Sequence, residues 1–130
     1  MVSHSPFVLL CLLLVACSKP TPELALQYAT VLPVPRAVAH FNLVNQNNSV
    51  FTNTDLQGRW TILFSGFTYC PDICPHTLGQ LQAAEQQMTV DKQHQVIFVS
   101  VDPQRDTPQS LQQYLHWFQP DWIGLTGEPA

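Results

Sequence analysis

Cys70 and Cys74 enclose Pro71, Asp72 and Ile73, and Pro75 and His76 follow directly. Two thiols this close in sequence constrain little of the unfolded chain as a staple, so the pair reads as a chemical site. The stretch before them, Trp60–Phe64, is almost wholly apolar, and the stretch after them has helical length. The cysteines therefore fall where a strand hands over to a helix, the edge at which open α/β sheets place their ligands. Free N–H groups and the positive end of the helix dipole favour thiolate over thiol there. Thiolate attacks disulfides and binds soft metal ions. Two soft sulfurs select Cu(I) or Zn(II), and zinc normally takes four ligands, so copper fits this set better. Pro71 and Pro75 stiffen the loop, and the same five-residue segment can also close a disulfide. An inert buried pair is the bland alternative.

Few other groups could add a ligand. His76, in the first helical turn, is a weak substitute for a third ligand, and a solvated side chain is its ordinary state. His116 falls off the apolar stripe of its helix, His94 is expected in a loop before a strand, and His40 opens a hairpin. Met88 fits a helix stripe, and no methionine cluster suggests a thioether copper site. Asp102, Arg105 and Asp106 sit at the same sheet edge as the cysteines. They read either as a rim that meets a partner or as a turn held by Asp102, with Asp106 or Thr107 capping a helix. Asp72 is expected to point outward.

The elements that would position these residues follow from periodicity. Ala39–Leu43 and Ser49–Thr52, separated by Asn45–Asn48, read as a β-hairpin. Trp60–Phe64 and Val96–Val101 are continuous apolar runs, the pattern of strands covered on both faces. Between them Leu78, Leu81, Ala84, Glu85 and Met88 form a helical stripe with one polar interruption, completing a βαβ unit. Thr107 and Pro108 open a second helix whose Leu111, Tyr114, Leu115 and Phe118 share one face, and Pro120 ends it. Trp122–Leu125 is a further short strand. Two helices are few for such a sheet, whose faces should both be covered.

The chain has 130 residues, room for one domain. Its charged fraction of 11% lies below the ordinary share of roughly 25%. The net charge is −4, and the five Lys and Arg residues are scattered, so no phosphate-binding surface forms and nucleic acid is set aside. Pro6–Ala16 is apolar but too short to span a bilayer, which takes about 20 residues. It has the character of a secretory leader. Leu14–Val15–Ala16–Cys17 resembles the processing site of bacterial lipoproteins, which implies cleavage before Cys17 and its lipidation; an uncleaved hydrophobic anchor is the alternative. Both place the rest at a membrane, outside the cytoplasm. The expected organisation is a signal peptide over 1–17, a Pro-rich tether over 18–36 carrying Pro20, Pro22, Pro33 and Pro35, and a domain over 37–130.

Gly66–Pro75 (GFTYCPDICP), Phe98–Pro108 (FVSVDPQRDTP) and Ile123–Gly127 (IGLTG) together resemble the signature of the Sco/SenC family, and the similarity runs from about His40 to Ala130. The resemblance implies an α/β, thioredoxin-like fold with an N-terminal hairpin. It implies a metallochaperone that delivers copper to, or primes, the binuclear copper site of cytochrome c oxidase, with Cys70 and Cys74 as thiolate ligands. The alternative it carries is a thiol-disulfide oxidoreductase acting on that site's cysteines through Cys70 and Cys74. The cargo is copper, as Cu(I) and also Cu(II). The implied partners are the copper-site subunit of the oxidase, a copper donor protein and the membrane, reached through a lipid anchor on the periplasmic face of a bacterial envelope. The family's third ligand is a His in an Asp-His pair beyond Ala130, and its last hairpin and helix also follow that point. Without that imidazole, Cu(II) should bind this chain weakly.

Overall fold

A computed structural model describes residues 27–88 and 93–128. The chain divides after Arg36, and Ala37–Ala130 is the unit that carries the helices and strands below. The expected signal peptide and Cys17 lie outside the described residues. Among the described residues, no helix is long and apolar enough to cross a membrane.

The hairpin is present. Strands β1 (Asn42–Asn45) and β2 (Val50–Thr52) pair antiparallel with Leu43 opposite Phe51. The turn forms because Asn45 Oδ1 accepts from the N–H groups of Asn47 (2.9 Å) and Ser49 (3.0 Å). Asn48 takes the left-handed backbone (φ 59°), which asparagine tolerates better than most residues. A short 3₁₀ turn, Asn53–Leu56, leads to β3 (Trp60–Gly66). Helix α1 (Ile73–Gln87), β4 (His94–Ser100), helix α2 (Pro108–His116) and β5 (Ile123–Thr126) follow.

The strands lie in the order β2-β1-β5-β4-β3, with β3, β4 and β5 parallel and β1 antiparallel to β5. This is the expected thioredoxin-like α/β arrangement. The chain steps from β3 to β4 to β5 in one direction across the sheet. Crossovers of the usual right hand then land both helices on the same face. Leu78 of α1 and Leu111 and Leu115 of α2 accordingly share one buried cluster with Val96, Phe98 and Trp122.

Two-sided cover holds for β4, where Val96, Ile97 and Phe98 are all buried, and fails for β3, where Leu63 is exposed on the opposite face. Alternation along β4 sends Ile97 and Val99 there, where they meet Phe51, Leu125 and Phe41. The hairpin covers only part of it. An apolar groove of about 500 Å³ remains, bordered by Phe41, Leu43, Leu56, Leu63 and Val99.

Helix α1 also differs from its expected stripe. Its inward face is Cys74, Leu78, Leu81 and Glu85, while Ala84 is exposed and Met88, 49% exposed, lies past the helix end. Glu85, the polar interruption, points inward and is fully used. Its Oε2 accepts from Trp122 Nε1 (2.6 Å), and its Oε1 lies 2.7 Å from His94 Nε2. His94 is therefore no loop residue; it opens β4 and binds Glu85.

Helix α2 opens as expected and ends at His116, before Phe118 and Pro120: Thr107 Oγ1 accepts from Ser110 N–H (3.2 Å), and Pro108 occupies the first turn. Its inward aromatics continue a chain of contacts from β3. Phe64 meets Phe98 (5.8 Å between centroids), Phe98 meets Tyr114 (5.7 Å), and Tyr114 meets Phe118 (5.4 Å). The helix seats closely because β5 offers Gly124, where a Cβ would stand 2.8 Å from Leu115 Cδ1.

Candidate metal and thiol site

Cys70 ends the loop that leaves β3, and Cys74 lies in the first turn of α1. Both are free thiols and nearly buried, 8% and 5% exposed. The helix N-terminus is turned toward them: the Cys74 backbone N–H points at Cys70 Sγ from 3.4 Å. Cys70 N–H bonds Phe67 O (3.2 Å), and His76 N–H bonds Asp72 O (3.1 Å), so the loop is wound tightly into the helix.

The two sulfurs are not equivalent. Cys70 is held below the ordinary thiol range, first by a hydrogen bond from the Cys74 side chain and then, against the cost of burial, by the backbone N–H groups of Cys74, Asp72 and Ile73. Cys74 is pushed up, first by its burial and next by the hydrogen bond it gives to Cys70. Of the two sulfurs Cys70 is thus the one disposed toward thiolate, and Cys74 the one disposed to keep its proton.

Cys74 is buried because the end of β3 makes room for it. A Cβ at Gly66 would stand 3.2 Å from Cys74 Sγ, 2.9 Å from Phe64 Cε1 and 3.0 Å from Phe98 Cε2. Any side chain larger than hydrogen would displace the sulfur or the rings.

A carboxylate anchors the loop from behind. Asp106 is fully buried and accepts from Thr68 N–H (3.1 Å), Thr68 Oγ1 (2.6 Å) and Ser100 Oγ (2.6 Å). It therefore ties the loop after β3 to the loop after β4. Of the two candidate caps, Thr107 serves the helix, and Asp106 ties the loops instead. Asp102 pairs with Arg105 through Nε (2.6 Å) and Nη2, and Arg105 lies over the Tyr69 ring at 5.2 Å. Asp72 is exposed, as expected.

Among the described residues, no histidine joins the sulfurs. His76, His40 and His116 are exposed, and His94 is at the opposite end of the sheet, where β4 begins. Among the described residues no set of three or more His, Cys, Asp or Glu side chains is gathered to hold a metal ion. One residue that the motif does not announce belongs to the surroundings. Tyr114 has a buried hydroxyl without a hydrogen-bond partner, and burial first, then the charges of Cys74 and Cys70, push its phenol up to about 12. Its place on the α2 stripe was legible, but its reach toward the thiols was not.

What this site can do chemically is set by its donors. Two adjacent thiols can bind a soft ion as thiolates with loss of their protons, or exchange with a disulfide.

Comparison with known proteins shows the family. The SCO1/SenC family profile matches residues 31–130. A Stutzerimonas stutzeri protein whose name proposes copper binding is 42% identical over 126 residues, covering 91% of this chain and 62% of that protein. The structure of Bradyrhizobium japonicum ScoI with copper bound superposes with a TM-score of 0.66 at 40% identity, covering 70% of this chain and 59% of that one. BsSco, described as having a disulfide switch and as a member of the Sco family of cytochrome c oxidase assembly proteins, matches with a TM-score of 0.57 at 28% identity, over 71% of this chain and 56% of that one. The chain thus spans about three fifths of the length of these relatives. On the family profile and these likenesses, the chain belongs to the SCO1/SenC family.

Proposed function

We propose that this protein is a copper metallochaperone that delivers copper to, or primes, the binuclear copper site of cytochrome c oxidase during assembly. The observation that carries the proposal is the unequal pair itself: Cys70 disposed to be thiolate, with Cys74 hydrogen-bonded to it at a helix N-terminus. The donors fit the cargo, because two soft sulfurs suit Cu(I), which accepts two or three ligands. The third ligand that the resemblance implies, a His beyond Ala130, is part of this proposal; exposed His76 is a poor substitute for it. The partners proposed are the copper-site subunit of the oxidase and a copper donor protein. Lipidation at Cys17, after a signal peptide over 1–17, would hold the domain by the 18–36 tether at the periplasmic face of a bacterial membrane.

Cu(I) competition against a chromophoric chelator tests the proposal. The expected result is one Cu(I) per chain, lost in Cys70→Ser and in Cys74→Ser. Uptake that survives either substitution overturns it.

The asymmetry of the thiols also favours a second reading, a thiol-disulfide reductase acting on the cysteines of the oxidase copper site. Cys70 thiolate would attack a target disulfide, forming a mixed disulfide and releasing one target thiolate. Cys74, giving up its proton, would then attack Cys70 sulfur, closing the Cys70–Cys74 disulfide and releasing the second target thiol. Metal-free reduction of a peptide disulfide, abolished in Cys70→Ser, identifies this activity.

A further inference from the structure

We propose that the end of the domain opposite the cysteines faces a membrane: Trp60, Met88 and Trp117 rest in the headgroup region of a phospholipid bilayer and turn Cys70 and Cys74 away from it. The inference rests on the reading of a lipidated Cys17 followed by a tether.

Topology gathers the three side chains at one end. Strand β3 pairs in parallel with β4, Trp60 opposite His94 and Gly66 opposite Ser100. The cysteines follow Gly66, so Trp60 stands the length of a seven-residue strand away, about 20 Å. Each helix runs back from the cysteine edge toward the start of the next strand. Helix α1 therefore finishes at the far end with Met88, and α2 with Trp117. A cavity of about 230 Å³ connects these neighbourhoods: it is lined by Arg59, next to Trp60, and by His94, Gln119 and Asp121.

Two of the three tryptophans are in water here. Trp60 is 82% exposed and Trp117 85%, and Met88 beside them is half-exposed. Trp122 shows the ordinary state: it is buried and gives its indole N–H to Glu85 Oε2 (2.6 Å). An environment that suits both a large apolar ring and a polar N–H is the boundary between lipid chains and headgroups. The cysteine edge also exposes apolar side chains, Tyr69, Ile73 and Val101, and charge separates the two ends. Among the described residues the cysteine edge carries Asp72, Asp102, Asp106 and, just past β5, Glu128, against Arg105 alone. At the tryptophan end Arg59 and Asp121 balance, and Glu85 pairs with His94. Anionic headgroups repel the first end and accept the second.

The sequence before the domain argues for lipid as the occupant. The apolar run Pro6–Ala16 and Cys17 place a bilayer within reach of the 18–36 tether. A tethered contact works at high effective concentration, so a small apolar surface suffices. The tether is long enough to let either end turn down, and the surface makes the choice.

The test follows flotation and tryptophan emission of the full chain, made in a bacterial host, on phosphatidylcholine–phosphatidylglycerol vesicles. Emission should move to shorter wavelength on binding, and brominated acyl chains should quench it. The double variant Trp60→Ser/Trp117→Ser removes side chains already in water, so its fold has little burial to lose. It should still float by its anchor, with only Trp122 emitting and that emission unquenched. A chain that floats with emission unmoved and unquenched overturns the inference. So does emission that moves only when the vesicles carry cytochrome c oxidase, which assigns this end to a protein partner. Emission that moves with protein concentration in the absence of lipid assigns it to a second copy and overturns it equally. A chain that does not float overturns the tether reading instead; the end is then tested at excess lipid, where unmoved emission overturns the inference.

Discussion

Cys70 and Cys74 have the same side chain and lie one helical turn apart, yet their surroundings drive them in opposite directions. The direction of each shift fixes a pH dependence. A thiol is inert to alkylation below its pKa and reacts as thiolate above it. The lowered Cys70 should therefore react with iodoacetamide at pH values where an ordinary cysteine is still protonated, and raised Cys74 should react only at higher pH. The first cause of the Cys70 shift is the Cys74 thiol, so Cys74→Ala should move the Cys70 reaction midpoint upward. Mass-resolved alkylation rates against pH check both expectations, and a midpoint that stays in place would make the helix N–H groups the main cause. The spacing of the pair was legible in the sequence; the asymmetry was only half so. Cys74 stands four residues before buried Leu78, which places it on the inward face of α1, and Gly66 could not announce that it lay against that sulfur. Ala84 and Met88 fall off the buried face because that face follows Cys74, Leu78, Leu81 and Glu85. Glu85 was legible on that stripe, but a buried Glu becomes intelligible only when Trp122 and His94 arrive from elsewhere in the fold.

Loops and helices are joined at this site by Asp106, whose bonds reach Thr68 across a sequence separation of 38 residues. Removing the carboxylate leaves the Thr68 N–H, the Thr68 hydroxyl and the Ser100 hydroxyl without their acceptor. Asp106→Ala should then cost about 3 kcal/mol, as buried donors lose their partner. Denaturant unfolding measures the loss. Thr107→Ala, next in sequence, removes only the cap of α2 and should cost about 1 kcal/mol. The contrast tests the division of labour between these neighbours: equal costs would mean that Asp106 contributes no more than a local cap. The cap was legible, because Thr followed by Pro at the start of an apolar stripe is a helix opening. The anchor was not, since Asp and Thr are both good caps and nothing local says which one turns inward. The choice is made by Thr68 and Ser100, which only the parallel pairing of β3 with β4 brings to the same edge.

Across the whole Ala37–Ala130 unit, the apolar composition of the strands anticipated cover on two faces, and the topology provides both helices to one. Residue types report that a face is apolar; they do not report which element comes to cover it. The order β5-β4-β3, read with the usual handedness of crossovers, does report it, and that order is a long-range property absent from any local window. The consequence is a groove at whose border Leu63 remains 59% exposed and near which Trp60 is exposed as well, on a strand that pairs only with β4 among the described residues. Apolar surface of this kind, beside a strand with one unpaired edge, favours dye binding and self-association. The chain should therefore bind an environment-sensitive dye such as anilinonaphthalene sulfonate, and its sedimentation should depend on concentration. Leu63→Lys should lower both, because it places a charge at the groove and on the strand edge. It should leave the midpoint of thermal unfolding nearly unchanged, since a side chain already more than half in water has little burial to lose. A large fall in that midpoint would mean that Leu63 is covered in solution, and the face would then be closed by something the fold itself brings to it.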